Sequence, residues 1–131
     1  MSIKVSLVTK CFIVNGDKEI LILRRGKQHY VRPGEWDLPG GRIDEQEDPN
    51  LSLLREIKEE IKLIFNNPKV IFVSTETEPA YILTFFYKLE YTGGPIELSS
   101  EHTEYDWIDK DEFMKLELPE KFRRAAEFLE V

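Results

Sequence analysis

Among the 131 residues there is one cysteine, so no intrachain disulfide can form and stability must come from a packed core. That residue, Cys11, stands in the apolar run Cys11-Phe12-Ile13-Val14. Nothing beside it would lower a thiol pKa, which makes it a buried structural residue rather than a nucleophile and suits a reducing cytosol. Long apolar runs are missing too: no stretch approaches the ~20 residues that span a bilayer. The N-terminus, Met1-Ser2-Ile3-Lys4, lacks the apolar core of a secretory leader. The expectation is a cytoplasmic protein with no membrane partner. Basic charge is also scarce, with 18 Lys and Arg against 25 Asp and Glu, a formal charge of −7. Such a surface disfavours nucleic-acid polymers and anionic membranes, which carry the same sign. A small anionic ligand would need a metal ion or a local basic patch. Repeats, low-complexity segments and linkers are absent, so residues 1–131 read as a single domain of the usual size, with the oligomeric state open.

The alternation of residue types divides the chain into strands and helices. Val5 to Val14 is β-branched and aromatic, Asn15-Gly16-Asp17 supplies a turn, and Glu19 to Arg25 resumes the apolar pattern, which predicts a hairpin. Gly26 to Gly41 is loop-like, with Pro33-Gly34 and Pro39-Gly40-Gly41 around a short extended piece at Trp36-Asp37-Leu38. Asp48-Pro49 marks a helix start, because the Asp side chain can accept orphan amide protons and Pro at the first position withholds none that is needed. Leu51, Leu54, Ile57, Ile61 and Ile64 recur at helical spacing and predict the stripe that packs on a sheet, with the helix running towards Phe65. Val70 to Thr75, Tyr81 to Tyr91 and a short piece from Glu104 to Ile108 read as strands. Glu120 to Leu129 reads as a closing helix.

The chemistry is concentrated in Arg55-Glu56-Ile57-Lys58-Glu59-Glu60. On a helix Glu56, Glu59 and Glu60 are related by i, i+3 and i+4, so their carboxylates project from one face, opposite the expected stripe. Like charges at that spacing repel, and a hard divalent cation with oxygen ligands, above all Mg2+, would compensate them. The plainer reading is a solvated acidic face.

The wider spacing decides between the two. Gly41, Glu47, Arg55, Glu56, Ile57, Glu59, Glu60 and Leu63 fall on Gly, five residues, Glu, seven residues, then Arg-Glu-apolar-x-Glu-Glu-x-x-apolar. Chance agreement is far rarer than about one in a million per starting position. In this the chain resembles the Nudix (MutT-like) hydrolase family. Trp36-Asp37-Leu38-Pro39-Gly40-Gly41 and Leu21-Ile22-Leu23-Arg24-Arg25 resemble the family's approach to its box, and Glu101 to Ile108 its late acidic-then-Trp segment. Lys62 departs from the pattern, standing where the box has its last glycine. A lysine at positive φ costs about 1 kcal/mol, so the helix is expected to run a turn further, towards Asn66.

The resemblance implies an α/β/α sandwich with a mixed sheet and a Mg2+-dependent enzyme, Mn2+ being possible, that cleaves a phosphoanhydride of a nucleoside triphosphate or nucleoside diphosphate derivative. It implies that Glu56, Glu59 and Glu60 hold the metal with the Gly40 carbonyl. Glu56 or a later carboxylate would take the proton; Glu101 is the candidate for that later group and for a further metal ligand, with Glu104 second. Arg55 and Glu47, with the Gly41 turn, would support the site. Arg24, Arg25, Lys27 and Arg32 are the one basic concentration and suit phosphate contacts, ordinary loop charges being the alternative. His29 and Tyr30 would stack on a base or fill the loop, and Trp36 reads as core. Pro79 and Tyr81 match loose markers for two different substrate classes, so Tyr81 is a candidate substrate contact that does not discriminate. The competing function is a non-catalytic Nudix-fold module that binds a nucleotide or a protein.

Overall fold

The computed structural model describes residues 2–131. In chain order its elements are β1 (Val5–Val14), β2 (Ile20–Arg25), β3 (Trp36–Asp37), β4 (Gly40–Arg42), α1 (Pro49–Ile61), β5 (Lys69–Glu76), β6 (Tyr81–Glu90), β7 (His102–Ile108), α2 (Lys110–Lys115) and α3 (Glu120–Ala126). The sheet runs β3-β2-β1-β6-β5, with β4 also on β1 and β7 on β2. It is mixed. β1 and β6 are parallel over their full length, from Val5 opposite Tyr81 to Val14 opposite Glu90, and the pairings of β1 with β4, β2 with β7 and β5 with β6 are antiparallel. The expected hairpin closes on Asn15, whose side-chain oxygen accepts from the Asp17 and Glu19 amides. It opens at once: β1 meets β2 only at Val14 and Ile20, and the space between them admits β4.

Strand alternation splits the core in two, since successive side chains point to opposite faces. Cys11, Ile13, Leu21 and Leu23 pack with Leu53, Ile57 and Ile61 of α1. Their neighbours Phe12, Val14, Ile20 and Ile22 pack with Phe113 of α2 and Phe122, Ala125 and Ala126 of α3. The result is the α/β/α layering expected. Cys11 is fully buried, and burial pushes its thiol well above the ordinary value.

Of two expectations for α1, the stripe holds only at Ile57, Ile61 and the partly buried Leu54, and the extension of the helix fails. The buried stripe is Leu53, Ile57 and Ile61 with Ser52 and Glu60, whereas Leu51 and Ile64 are 61% and 77% exposed. The helix is rotated so that its glutamates lie on the flank of the buried face and not opposite it. Nor does the helix extend past the box. Asp48 caps it as expected, accepting from the Leu51 amide, but it ends at Ile61 with Lys62 left-handed at φ 62°, ψ 31°. Lys62 thus adopts the conformation a glycine would, and its cost is offset where the helix end exposes carbonyls: the Lys62 amide donates to the Lys58 carbonyl and Nζ to the Glu59 carbonyl at 2.7 Å. The last turn is also covered from outside, Glu97 N donating to the Ile61 carbonyl and Ser99 N to the Glu60 carbonyl. That docking brings residues 97–102 against the glutamates. Helix α2, with its Asp109/Glu112 capping box, is an element that periodicity did not reveal.

Candidate active site

Gly40 and Gly41 pass close beneath α1. Gly40 has φ +140°, and a Cβ there would lie 2.1 Å from the Thr9 carbonyl oxygen, so only glycine lets β4 pair with β1. The turn leaves the Gly40 amide free to donate to Glu60 Oε1 at 2.8 Å. A Cβ on Gly41 would stand 2.6 Å from the Glu56 carboxyl carbon, so Glu56 lies directly on the bare backbone. Glycine acts here by making room for carboxylates.

Arg55 organises the same face. Its Nε and Nη2 form a fork on Glu47 at 2.8 and 3.0 Å, Nη1 reaches Glu59 at 3.1 Å, and Nη2 lies 3.2 Å from Glu56. The hydrogen bond from Arg55 lowers the Glu47 pKa, and the same bond raises that of Arg55. A planar fork fixes the orientation of what it grips, so loop and helix are held in register. Burial raises the Glu56 pKa, the Glu59 and Glu101 carboxylates adding to the effect against Arg55. Burial pushes Glu60 further, up to about 8, with Lys10 and the Gly40 amide opposing.

These groups line one end of a cleft of about 710 Å³. Its other end is basic. Asp37, 2% exposed, faces Lys10 Nζ at 2.8 Å, Arg25 Nε at 3.1 Å and Arg32 Nη2 at 3.4 Å. Burial favours the protonated acid, but the three cations together outweigh it and hold Asp37 below its usual value. Its Oδ1 also accepts from the Leu38 amide. Between the two ends lies His102, whose Nε2 is 3.8 Å from Glu60 Oε2. Burial holds its pKa down at about 4.

The structure therefore brings Gly40, Gly41, Glu56, Glu59, Glu60, Glu101, Arg25 and Arg32 to one cleft and leaves Arg24 and Tyr81 off its wall. Arg24 donates to the Gly34 carbonyl, pairs with Glu104 and lies over the Trp36 ring. Those contacts place it in a neighbouring cleft of about 820 Å³, which shares Arg25, His29, Tyr30 and Glu101 with the first but contains none of the three helix glutamates. Its greater size does not make it the reaction site, because the carboxylates are elsewhere. Tyr81 starts β6 opposite Val5 and is 43% exposed. Lys10, Asp37 and His102 escaped sequence reasoning. The available signal was Lys10 itself, a lone charge inside an apolar strand that requires a buried counter-ion.

As the side chains stand, among the described residues no three His, Cys, Asp or Glu groups converge tightly enough to clasp one ion, since Glu59 turns to Arg55 and Glu60 to the Gly40 amide. The donor set nevertheless fits a hard cation: oxygen ligands on one helix flank, two of them desolvated and facing a glycine turn that a larger residue would fill.

Comparison with known proteins agrees with the geometry. A MutT-like protein of Streptomyces ambofaciens is 29% identical over 100 residues, 76% of this chain and 61% of that protein. An ADP-ribose pyrophosphatase of Methanocaldococcus jannaschii is 28% identical over 110 residues, 79% of this chain and 62% of that one. The chain thus spans about six tenths of the length of these two relatives. The crystal structure of a MutT protein from Methanosarcina mazei Go1 matches with a TM-score of 0.86 and 27% identity, covering 97% of this chain and 94% of that one. The NUDIX domain model matches residues 6–130, and the chain belongs to the Nudix family.

Proposed function

We propose that the protein is a Mg2+-dependent hydrolase of a phosphoanhydride bond in a small nucleoside diphosphate derivative or nucleoside triphosphate. The observation that carries this reading is the pair of desolvated glutamates, Glu56 and Glu60, facing the Gly40-Gly41 turn at one end of a cleft whose other end is cationic. Glu56, Glu59 and Glu60, with the Gly40 carbonyl and Glu101, would hold Mg2+ or Mn2+. When bound, such an ion supplies charge neutralisation for phosphate oxygens and makes water a stronger acid.

The remaining work belongs to the side chains. Glu56, with its pKa raised by burial, is suited to accept the proton of the attacking water, and Glu101, on the cleft wall beside it, is the alternative base. Arg55 holds Glu56 and Glu59 at fixed angles. Arg25 and Arg32 offer donors to phosphate oxygens that do not react. Arg24, in the adjoining cleft, would reach only a substrate long enough to cross Arg25 and Tyr30. Tyr81 loses its support as a substrate contact. A chain charged at −7 suits a small ligand better than a nucleic-acid polymer, and its lone buried thiol suits the cytoplasm.

A panel of nucleotide diphosphates and triphosphates with Mg2+ or Mn2+, products identified by mass, tests the reading. Hydrolysis at an anhydride, abolished by EDTA, is expected. Metal should also raise the melting temperature as its concentration passes its Kd. No turnover across the panel would return the chain to the non-catalytic binding module, and full activity in EDTA would overturn the metal assignment.

A further inference from the structure

Two clefts meet at Glu101, and their walls differ in chemistry. The first holds the three helix glutamates together with an apolar wall of Val8, Ile82 and Phe122. Apolar and aromatic surface of that kind suits the face of a base. The second, of about 820 Å³, shares Arg25, His29, Tyr30 and Glu101 with the first, and among the described residues no aliphatic side chain lines it. Its own wall is Gln28, Ser100 and Thr103, with Lys27 and the Arg24–Glu104 pair. Lys27, Gln28, Ser100 and Thr103 are all exposed, so their donors and acceptors are open to a ligand. Glu101 is close enough to Glu56 for their charges to interact. The second cleft therefore begins beside the helix carboxylates and leads away from them, past the fully exposed ring of Tyr30.

We propose that the second cleft receives the far substituent of a nucleoside diphosphate, a neutral polyhydroxyl group, so that the substrate is a nucleoside diphosphate sugar rather than a nucleoside triphosphate. The inference rests on the hydrolase reading, which puts the diphosphate at the carboxylates between the two clefts. A further phosphate in the second cleft would bring its charge against Glu101 and Glu104, and Arg24 is already committed to Glu104 and the Gly34 carbonyl. A second base would find one free aromatic ring, Tyr30, and otherwise polar groups that leave its faces uncovered. Sugar hydroxyls both donate and accept, which matches an amide, two hydroxyls and an ion pair. A mononucleotide, with nothing beyond its phosphates, leaves this cleft empty.

Titration calorimetry on the full chain in Ca2+, an oxygen-seeking ion with a looser shell than Mg2+, tests this with matched pairs: UDP-glucose and UDP, GDP-mannose and GDP, ADP-ribose and ADP. Thr103→Trp puts an indole into the second cleft from an exposed strand position, where an aromatic residue is tolerated. For the pair that binds best, the diphosphate sugar is expected to bind the native chain and to lose about tenfold or more in Thr103→Trp, while its nucleoside diphosphate changes less than about twofold. Gln28→Trp, from the loop on the other wall, should give the same split independently of the strand. No binding of any diphosphate sugar by the native chain, or equal effects on both members of the pair in the folded variants, overturns the assignment. A split in binding without turnover of any substrate supports the assignment and counts only against the hydrolase reading.

Discussion

The acidic and basic ends of the cleft are built by opposite means. At the acidic end the charges come from a single helix turn, and their mutual repulsion is only partly relieved, by Arg55, Lys10 and the Gly40 amide. At the basic end they come from β1, β2 and a loop, and are gathered around Asp37 at the end of β3. One end is crowded by proximity along the chain and the other is assembled by a buried counter-ion. Removing a charge should consequently relax the first and damage the second.

Asp37→Ala should show the largest effect among the charge removals. It leaves a buried Lys10 and two arginines without their partner, a loss of about 3–5 kcal/mol measurable as the urea midpoint. The pH dependence has a definite sign. Because the folded-state pKa of Asp37 is lowered, its stabilisation is present above the unfolded value and is lost as pH falls below about 4. Asp37→Asn should flatten that acid limb, and an unchanged limb would show that the cations do not depend on it.

Glu60→Gln should do the reverse. Activity should fall at least about a hundredfold, given that even groups supporting a metal ligand are worth 10–100-fold, yet the fold should gain. With its pKa raised to about 8, Glu60 contributes stability that is complete below its ordinary value of about 4.5 and is lost as pH rises through 8. In EDTA the variant should therefore melt about 3 °C higher than the native chain at pH 9 and show little advantage at pH 4. Equal melting at both pH values would mean that the acidic end carries no strain.

Gly41→Ala sharpens the contrast between geometry and stability. The added methyl meets the Glu56 carboxylate, a movable side chain, and not backbone. Activity should drop roughly tenfold to a hundredfold from the displaced carboxylate, while stability changes by about 1 kcal/mol or less. Gly40→Ala, which meets the Thr9 backbone, should instead be recovered largely unfolded or not at all. Arg24→Ala should have the smallest effect. Its exposed pairing with Glu104 is worth under about 1 kcal/mol, and kcat/KM for a mononucleotide should change less than twofold; a larger loss would assign the neighbouring cleft to the substrate.

The contrast between the two ends also accounts for what was legible in the residue order. Gly41, Glu47, Arg55, Glu56, Glu59 and Glu60 lie within a short window, where turn chemistry and the helical period set their mutual geometry, so the motif could be read directly and the fold class followed from the resemblance it carries. Local rules also placed the Asp48 cap and the strands other than β4, which reads as a glycine turn, because alternation and capping are properties of neighbouring residues. They misplaced the buried stripe at Leu51 and Ile64, since which face of α1 is covered depends on where the sheet and residues 97–102 dock. They overextended the helix at Lys62, because a left-handed lysine is tolerable only once its amine and the incoming segment satisfy the final carbonyls. Assembly of the whole chain alone joins Lys10, Arg25 and Arg32 to Asp37. No local period links a β1 lysine to residues on β2, a loop and β3, and the ion pairs form because a charge buried in folding must find its opposite wherever the chain brings one.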